Sequence, residues 1–206
     1  MSEKPSNAYD LVERIRQKGP EFLDLISADS DEAFETAFDV LLEKALQGLE
    51  RNKKNFKTLN EEGLSAALVL ALTIPGLTIT QETHSNGHVD LTIEADHCMP
   101  ARIKLGEAKI YDGPNYHIAG LEQLIGRYMT GREGRGLLIE YVKKPDIRTK
   151  MANIRAQMDR TLPLNQSGPA KDHVLKWAFV TEHKHSSGED VQVGHVGCNL
   201  FVEETG

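Results

Sequence analysis

Over the first 75 residues apolar side chains recur every three or four positions, and after that they alternate. Leu11 and Ile15, with Lys18, mark a short helix that Gly19-Pro20 stops. Phe34, Phe38, Leu41, Leu42 and Ala45 predict a second helix over 31–49, and residues 51–57 read as a polar connector. Asn60 is placed to cap a third helix with Leu64, Leu68, Ala71 and Leu72 along one stripe, ended by Pro75-Gly76. The period then falls to two. A strand is expected over 77–81, a hairpin turn at Asn86-Gly87, and a strand from 87 to 95. In that strand Val89, Leu91 and Ile93 share one face, with His88, Asp90 and Thr92 on the other.

A further strand follows over 101–110, then a helix over 117–129 through Ile118, Leu121, Ile125 and Tyr128. Residues 136–142 form an apolar strand, and Pro145 opens a helix with the stripe Ile147, Met151, Ile154 and Met158. Residues 161–172 read as a polar loop, and strands over 174–181 and 191–202 finish the chain. The fold class is therefore α/β, a mixed central sheet flanked by helices. The expected organisation is a single domain over 1–206, with 1–57 as an N-terminal helical extension and 58–206 as the core.

The chemistry concentrates at Asp90 and at Gly106-Glu107-Ala108-Lys109. Glu107 and Lys109 are two apart on a strand, so they project from one face together with Ile103 and Leu105. Asp90 stands on the polar face of the preceding strand, so a hairpin brings two carboxylates and an amine to one place. Charges there are costly unless they are paired or bind a metal. Two carboxylates suit Mg²⁺, and a neighbouring ammonium can stabilise charge growing on a phosphate, or help orient and deprotonate an attacking water. The plainer reading is a Glu107–Lys109 surface pair on an edge strand, worth little.

The stretch over 60–128, with Asp90 and Glu107-Ala108-Lys109 each after an apolar run, resembles the PD-(D/E)XK nuclease superfamily. That superfamily has an α-β-β-β-α-β core with D…(D/E)xK on its second and third strands. Glu61, on the sheet-facing side of the helix with Leu64 and Leu68, resembles the glutamate that many members carry before the first strand. Gln123 resembles the polar residue on the helix after the ExK strand. Some members show a tyrosine four residues after that glutamine; here position 127 is Arg and the tyrosine is Tyr128.

The resemblance implies a restriction-endonuclease-like core and an Mg²⁺- or Mn²⁺-dependent nuclease that hydrolyses phosphodiester bonds, in DNA before RNA, for defence or repair. Asp90, Glu107, Lys109, Glu61 and Gln123 would be catalytic. Asp90, Glu107, the main-chain carbonyl of Ala108 and Glu61 would hold the metal. The non-enzymatic alternative is a catalytically silent, nuclease-like binding or scaffold module.

Charge adds a direction. The chain of 206 residues carries a net −7, which argues against a general nucleic-acid coat protein. Residues 1–50 hold five basic and twelve acidic side chains (5 − 12 = −7), and residues 127–160 hold nine basic and four acidic (9 − 4 = +5). Arg127, Arg148 and Arg155 are therefore the candidate nucleic-acid contacts, and the acidic N-terminal helices a candidate surface for a homodimer or protein partner.

Two cysteines, no basic and apolar leader and no run of 18 apolar residues fit a chain of the reducing cytoplasm with no membrane partner. Other constellations are weaker. His84, His88, His97 and Cys98, or His183 and His185, lack the spacing of secure zinc sites and read as surface-loop histidines. His195 and Cys198 fall on opposite strand faces, so they make no nucleophile–base pair. Residues 131–136, GREGRG, precede a strand and read as a turn.

Overall fold

The structure, a computed structural model, describes residues 7–84, 88–98 and 101–203. The hairpin turn expected at Asn86-Gly87 lies outside the described residues. So do the side chains of His84 and His88, on which the zinc reading partly stood.

Among the described residues six α-helices and seven strands follow in the order α1 (Ala8–Lys18), α2 (Pro20–Ile26), α3 (Asp31–Arg51), α4 (Glu61–Leu72), β1 (Thr78–His84), β2 (His88–Ala95), β3 (Arg102–Ile110), α5 (Pro114–Gln123), β4 (Gly136–Val142), α6 (Ile147–Thr161), β5 (Lys171–Asp172), β6 (Ala178–Lys184) and β7 (Asp190–Asn199). A π-helical turn, Leu124–Tyr128, continues α5. The strands make one mixed sheet in the order β1-β2-β3-β4-β7-β6-β5. β3 runs antiparallel to β2 and parallel to β4, and β4 runs parallel to β7. No helix among the described residues is long and apolar enough to cross a membrane.

Two apolar clusters cover the two faces. Phe34, Phe38 and Leu42 from α3, and Leu64 and Leu68 from α4, pack with Leu91, Ile93, Ala108, Ile139 and Tyr141. On the other face Leu121, Leu124 and Ile125 join Met151, Ile154 and Met158 from α6 against Leu105, Leu138 and Val193. The first cluster crosses the expected boundary at residue 57, so α3 is a layer of the core.

The acidic residues of α3 are largely committed to the sheet. Lys104, 2% exposed, donates from Nζ to both carboxylate oxygens of Glu35 at 2.8 Å and to the Arg135 carbonyl. Arg135 in turn bridges Glu35, at 2.9 Å, and Asp39, while Arg102 reaches Asp31 at 2.9 Å. Burial pulls the Lys104 amine below the ordinary lysine value, against the opposing pull of Glu35. The acidic face expected to meet a partner thus spends Asp31, Glu35 and Asp39 on three basic residues of its own chain. One of these, Arg135, comes from the basic segment 127–160, so that segment does not form one face.

Several expected elements shift. Gly19-Pro20 ends α1 but also opens α2, because proline at the first helical position costs no hydrogen bond. β5 forms inside the expected polar loop. The segment expected as a strand over 174–181 becomes one only from Ala178, after Trp177 at φ 57° breaks the extended path. Leu91 and Ile93 share the first cluster, but Val89 belongs to the second. The β2–β3 ladder ends at Leu91↔Gly106, so nothing in that register holds Val89 to the face of its neighbours. Asn60 caps α4 as expected, accepting the Gly63 amide at 3.0 Å.

Because Phe38 is buried at 1% exposure under the Lys104 ammonium, Phe38→Ala should cost about 3–5 kcal/mol in urea unfolding. A loss under about 1 kcal/mol would show that α3 is a detachable cover.

Candidate active site

β3 carries the site because it divides the two faces. Lys104 and Ala108 turn toward α3 and α4, and Leu105, Glu107 and Lys109 turn toward α5. Beyond Leu91↔Gly106 the ladder is replaced by a side chain: the Ala108 amide donates to Asp90 Oδ2 at 2.9 Å. The Asp90 carboxylate therefore sits at the edge of β3, close enough to Glu107 to raise its pKa.

Glu107 is only 2% exposed. Its Oε1 lies 2.6 Å from Lys109 Nζ, and its Oε2 is buried with no hydrogen-bond partner. Burial first, and then the Asp90 charge, push the Glu107 carboxyl up to about 7, with Lys109 opposing both. Burial also works against the Lys109 ammonium, but Glu107, Glu61 and Asp90 outweigh it and hold its pKa above the ordinary lysine value. Glu61 completes the group from the first turn of α4. Its Oε1 is 3.4 Å from Lys109 Nζ, and its Oε2 accepts the Ile110 amide at 2.8 Å. One contact on each oxygen thus ties Glu61 to Lys109 and to β3. The Lys109 stem lies on Gly120 of α5, where a Cβ would stand 3.1 Å from its Cγ.

The structure gathers Asp90, Glu107, Lys109 and Glu61 as the sequence predicts, and replaces the plain surface pair with a buried one. Gln123 ends α5 with its Oε1 buried and unpartnered. The π-helical turn that follows lengthens the repeat, with Met129 N donating to Leu124 O at 2.9 Å. Tyr128 is buried, and its phenol is raised first by burial and then by Glu107 and Asp90.

The basic candidates part company. Arg127 and Arg148 are exposed. Arg155 donates to Asp172 at 2.6 Å and to the Ala170 carbonyl at 2.6 Å, so it braces the loop before β5 instead of standing open. Cys98 and Cys198 are both free and buried, and burial holds the Cys198 thiol well above its ordinary pKa. His97 is exposed, with Nε2 3.4 Å from the Leu25 carbonyl.

His183, expected on a surface loop, is fully buried in β6. It belongs to a group the sequence reading missed. His117, Glu140, Thr181 and His195 join it in a hydrogen-bonded row behind Lys109. The signal was Glu140, a lone charge inside the apolar run GLLIEYV, which must find a partner or a proton when buried.

Among the described residues no three His, Cys, Asp or Glu side chains stand ready as a metal cage. Mg²⁺ does not need one, since it keeps several waters and is held by one or two carboxylates. The orphaned Glu107 Oε2 beside Asp90 fits such an ion, because a cation supplies the partner that oxygen lacks. A cleft of about 690 Å³ between α2 and α3 is lined by none of these residues. The chain matches no protein family, no curated protein and no solved structure.

The raised Glu107 pKa has a signed consequence. The folded protein holds a proton that the unfolded chain releases near 4.5, so this group's stabilisation is full below 4.5 and is lost as pH rises through about 7. Thermal melts of Glu107→Gln should lose that part of the slope between pH 4.5 and 7, and Mg²⁺ should raise the wild-type midpoint at pH 7. Identical slopes in the two proteins would show that Glu107 is not strained by its surroundings.

Proposed function

We propose that the chain is a metal-dependent nuclease that hydrolyses phosphodiester bonds, with DNA the favoured substrate. The observation that carries this reading is the buried Glu107, set against Asp90 with one oxygen unpartnered and Lys109 at 2.6 Å from the other. The order α4-β1-β2-β3-α5-β4, with Asp90 on the second strand and Glu107 and Lys109 on the third, supports a restriction-endonuclease-like core.

Asp90 and Glu107, with the Ala108 main-chain carbonyl, would hold Mg²⁺ or Mn²⁺. When bound, the ion supplies Lewis acidity toward a phosphate oxygen and lowers the pKa of a coordinated water. The chain's own groups divide the remaining work. The carboxylates around Lys109 keep it protonated, so it suits stabilising charge on the phosphoryl oxygens far better than taking a proton from water. Glu61 holds that ammonium in place and ties the start of α4 to β3. Tyr128 stands near Glu107 and Asp90, and the buried oxygen of Gln123 lacks a donor. Arg127 and Arg148 are the exposed basic residues that would meet the substrate backbone.

Cleavage assays on plasmid, linear duplex, single-stranded DNA and RNA test the reading. Turnover should require Mg²⁺ or Mn²⁺, and Ca²⁺ should bind without supporting it. Asp90→Ala, Glu107→Ala and Lys109→Ala should each abolish turnover in folded protein. Calorimetry should show weakened metal binding in the first two and not in the third. Full activity of Lys109→Ala would refute the proposed chemistry. Metal and DNA binding without turnover in any substrate would instead leave a binding or scaffold module.

Arg127→Glu and Arg148→Glu should each flatten the log–log dependence of affinity on salt, by about 0.9 per lost contact on duplex. An unchanged slope would move the substrate path elsewhere.

A further inference from the structure

Behind Lys109 a row of buried polar groups crosses from β4 to the loop before β5. Glu140 Oε1 is 2.7 Å from His117 Nδ1, and His117 Nε2 is 2.7 Å from His195 Nδ1. Thr181 Oγ1 is 2.7 Å from both His195 Nε2 and His183 Nε2, and His183 Nδ1 is 3.2 Å from the Leu164 carbonyl. None of these five side chains exceeds 2% exposure.

Counting protons constrains this row. The Glu140 carboxylate and the Leu164 carbonyl are acceptors only. Five hydrogen bonds need five protons, while three neutral imidazoles and one hydroxyl bring four. One surplus proton is therefore resident. The Leu164 carbonyl requires His183 to donate from Nδ1. If His183 is neutral, its Nε2 accepts from the Thr181 hydroxyl. Thr181 then accepts from His195 Nε2–H, and His195 Nδ1 accepts from His117 Nε2–H. The bond left short of a proton is the one between His117 and Glu140.

Burial fits that placement. It lowers His183 and drives His195 well below the ordinary imidazole value, and it raises Glu140. A carbonyl cannot pass a proton on, so the row is closed at its far end.

The open end faces the candidate site. Glu140 is the register partner of Lys109 on the adjacent parallel strand. His117 and Gly120 lie one turn apart on α5, so the His117–Glu140 bond fixes the helix where Gly120 backs the Lys109 stem. The charged and titratable groups facing Glu140 are His117 and Tyr116 from α5, Lys109 from β3, Tyr111 just after it and Glu61 from α4. α6 packs over this region with the apolar Ile147 and Met151.

We propose that Glu140, His117, His195, Thr181 and His183 form a closed proton store. Its surplus proton sits at the Glu140–His117 end and keeps that pair without net charge beside Lys109. Glu140 and His117 are then positioning residues for Lys109. This role rests on reading the Asp90–Glu107–Lys109 cluster as hydrolytic, whereas the proton count does not.

The test is nuclear magnetic resonance of the full chain with ¹⁵N-labelled histidine and ¹³C-labelled glutamate at pH 7. His183 should carry its proton on Nδ1 and His195 on Nε2. In addition, either Glu140 should be un-ionised or His117 should be protonated on both nitrogens. Three neutral imidazoles beside an ionised Glu140, or His183 protonated on Nε2, would overturn the store. Glu140→Gln supplies a second measurement, since its amide can donate to His117 with no surplus proton. In a Glu107→Gln background, which removes the fall that Glu107 itself causes, the melting temperature should still fall on the alkaline side as the proton leaves, and that fall should vanish when Glu140→Gln is added. Persistence of that fall in the double variant would also overturn the store. If Glu140→Gln fails to fold, the wild-type spectra alone decide. Expected tautomers without metal-dependent cleavage would remove the positioning role and the hydrolytic reading together. Cleavage with the wrong tautomers would remove the store alone.

Discussion

The burial of Glu107 is the constraint on which the rest of the site depends. A carboxylate at 2% exposure, next to a second carboxylate, is held in place by one ammonium and left with one oxygen unsatisfied. Such an arrangement opposes folding unless a proton or a cation relieves it. The sheet creates it by stopping the β2–β3 ladder at Leu91↔Gly106 and letting the Asp90 side chain take the Ala108 amide. A backbone that kept pairing would have given that amide a neutral carbonyl partner and kept the second charge away.

β3 separates two charged systems that would otherwise interfere. Lys104 faces α3 and is matched by Glu35, while Glu107 and Lys109 face α5 and are matched by each other, Glu61 and Asp90. The alternation of strand side chains keeps the two apart, with the apolar Ala108 between Glu107 and Lys109 on the opposite face. The acidic helix α3 thereby anchors the sheet, and the Glu107 and Lys109 charges remain on the side that carries α5.

Much of the site was legible because it is local. Glu107 and Lys109 are two residues apart, Asp90 lies on the adjoining strand, and Glu61 shares the helix face of Leu64 and Leu68. What the sequence hides is long-range or depends on a small change of repeat. His117 and His195 are 78 residues apart and meet only because β4 lies between β3 and β7. Lys104 looks like an ordinary exposed strand lysine until Glu35, 69 residues away, arrives over it. The π-helical turn over Leu124–Tyr128 changes the repeat of α5 without any signal in the apolar spacing. α2 was missed because Pro20 both ends one helix and begins another.

The divalent-cation site proposed for Asp90 and Glu107 lies at the edge of β3. Titrating Mn²⁺ into the ¹⁵N-labelled chain and following amide line broadening tests it most directly, because paramagnetic relaxation maps the ion without requiring a substrate. Broadening should centre on Asp90, Ala108 and Lys109, be lost in Glu107→Ala and be displaced by excess Mg²⁺. Broadening confined to the acidic surface of α3 around Asp31 and Glu32, or unaltered by Glu107→Ala, would contradict it.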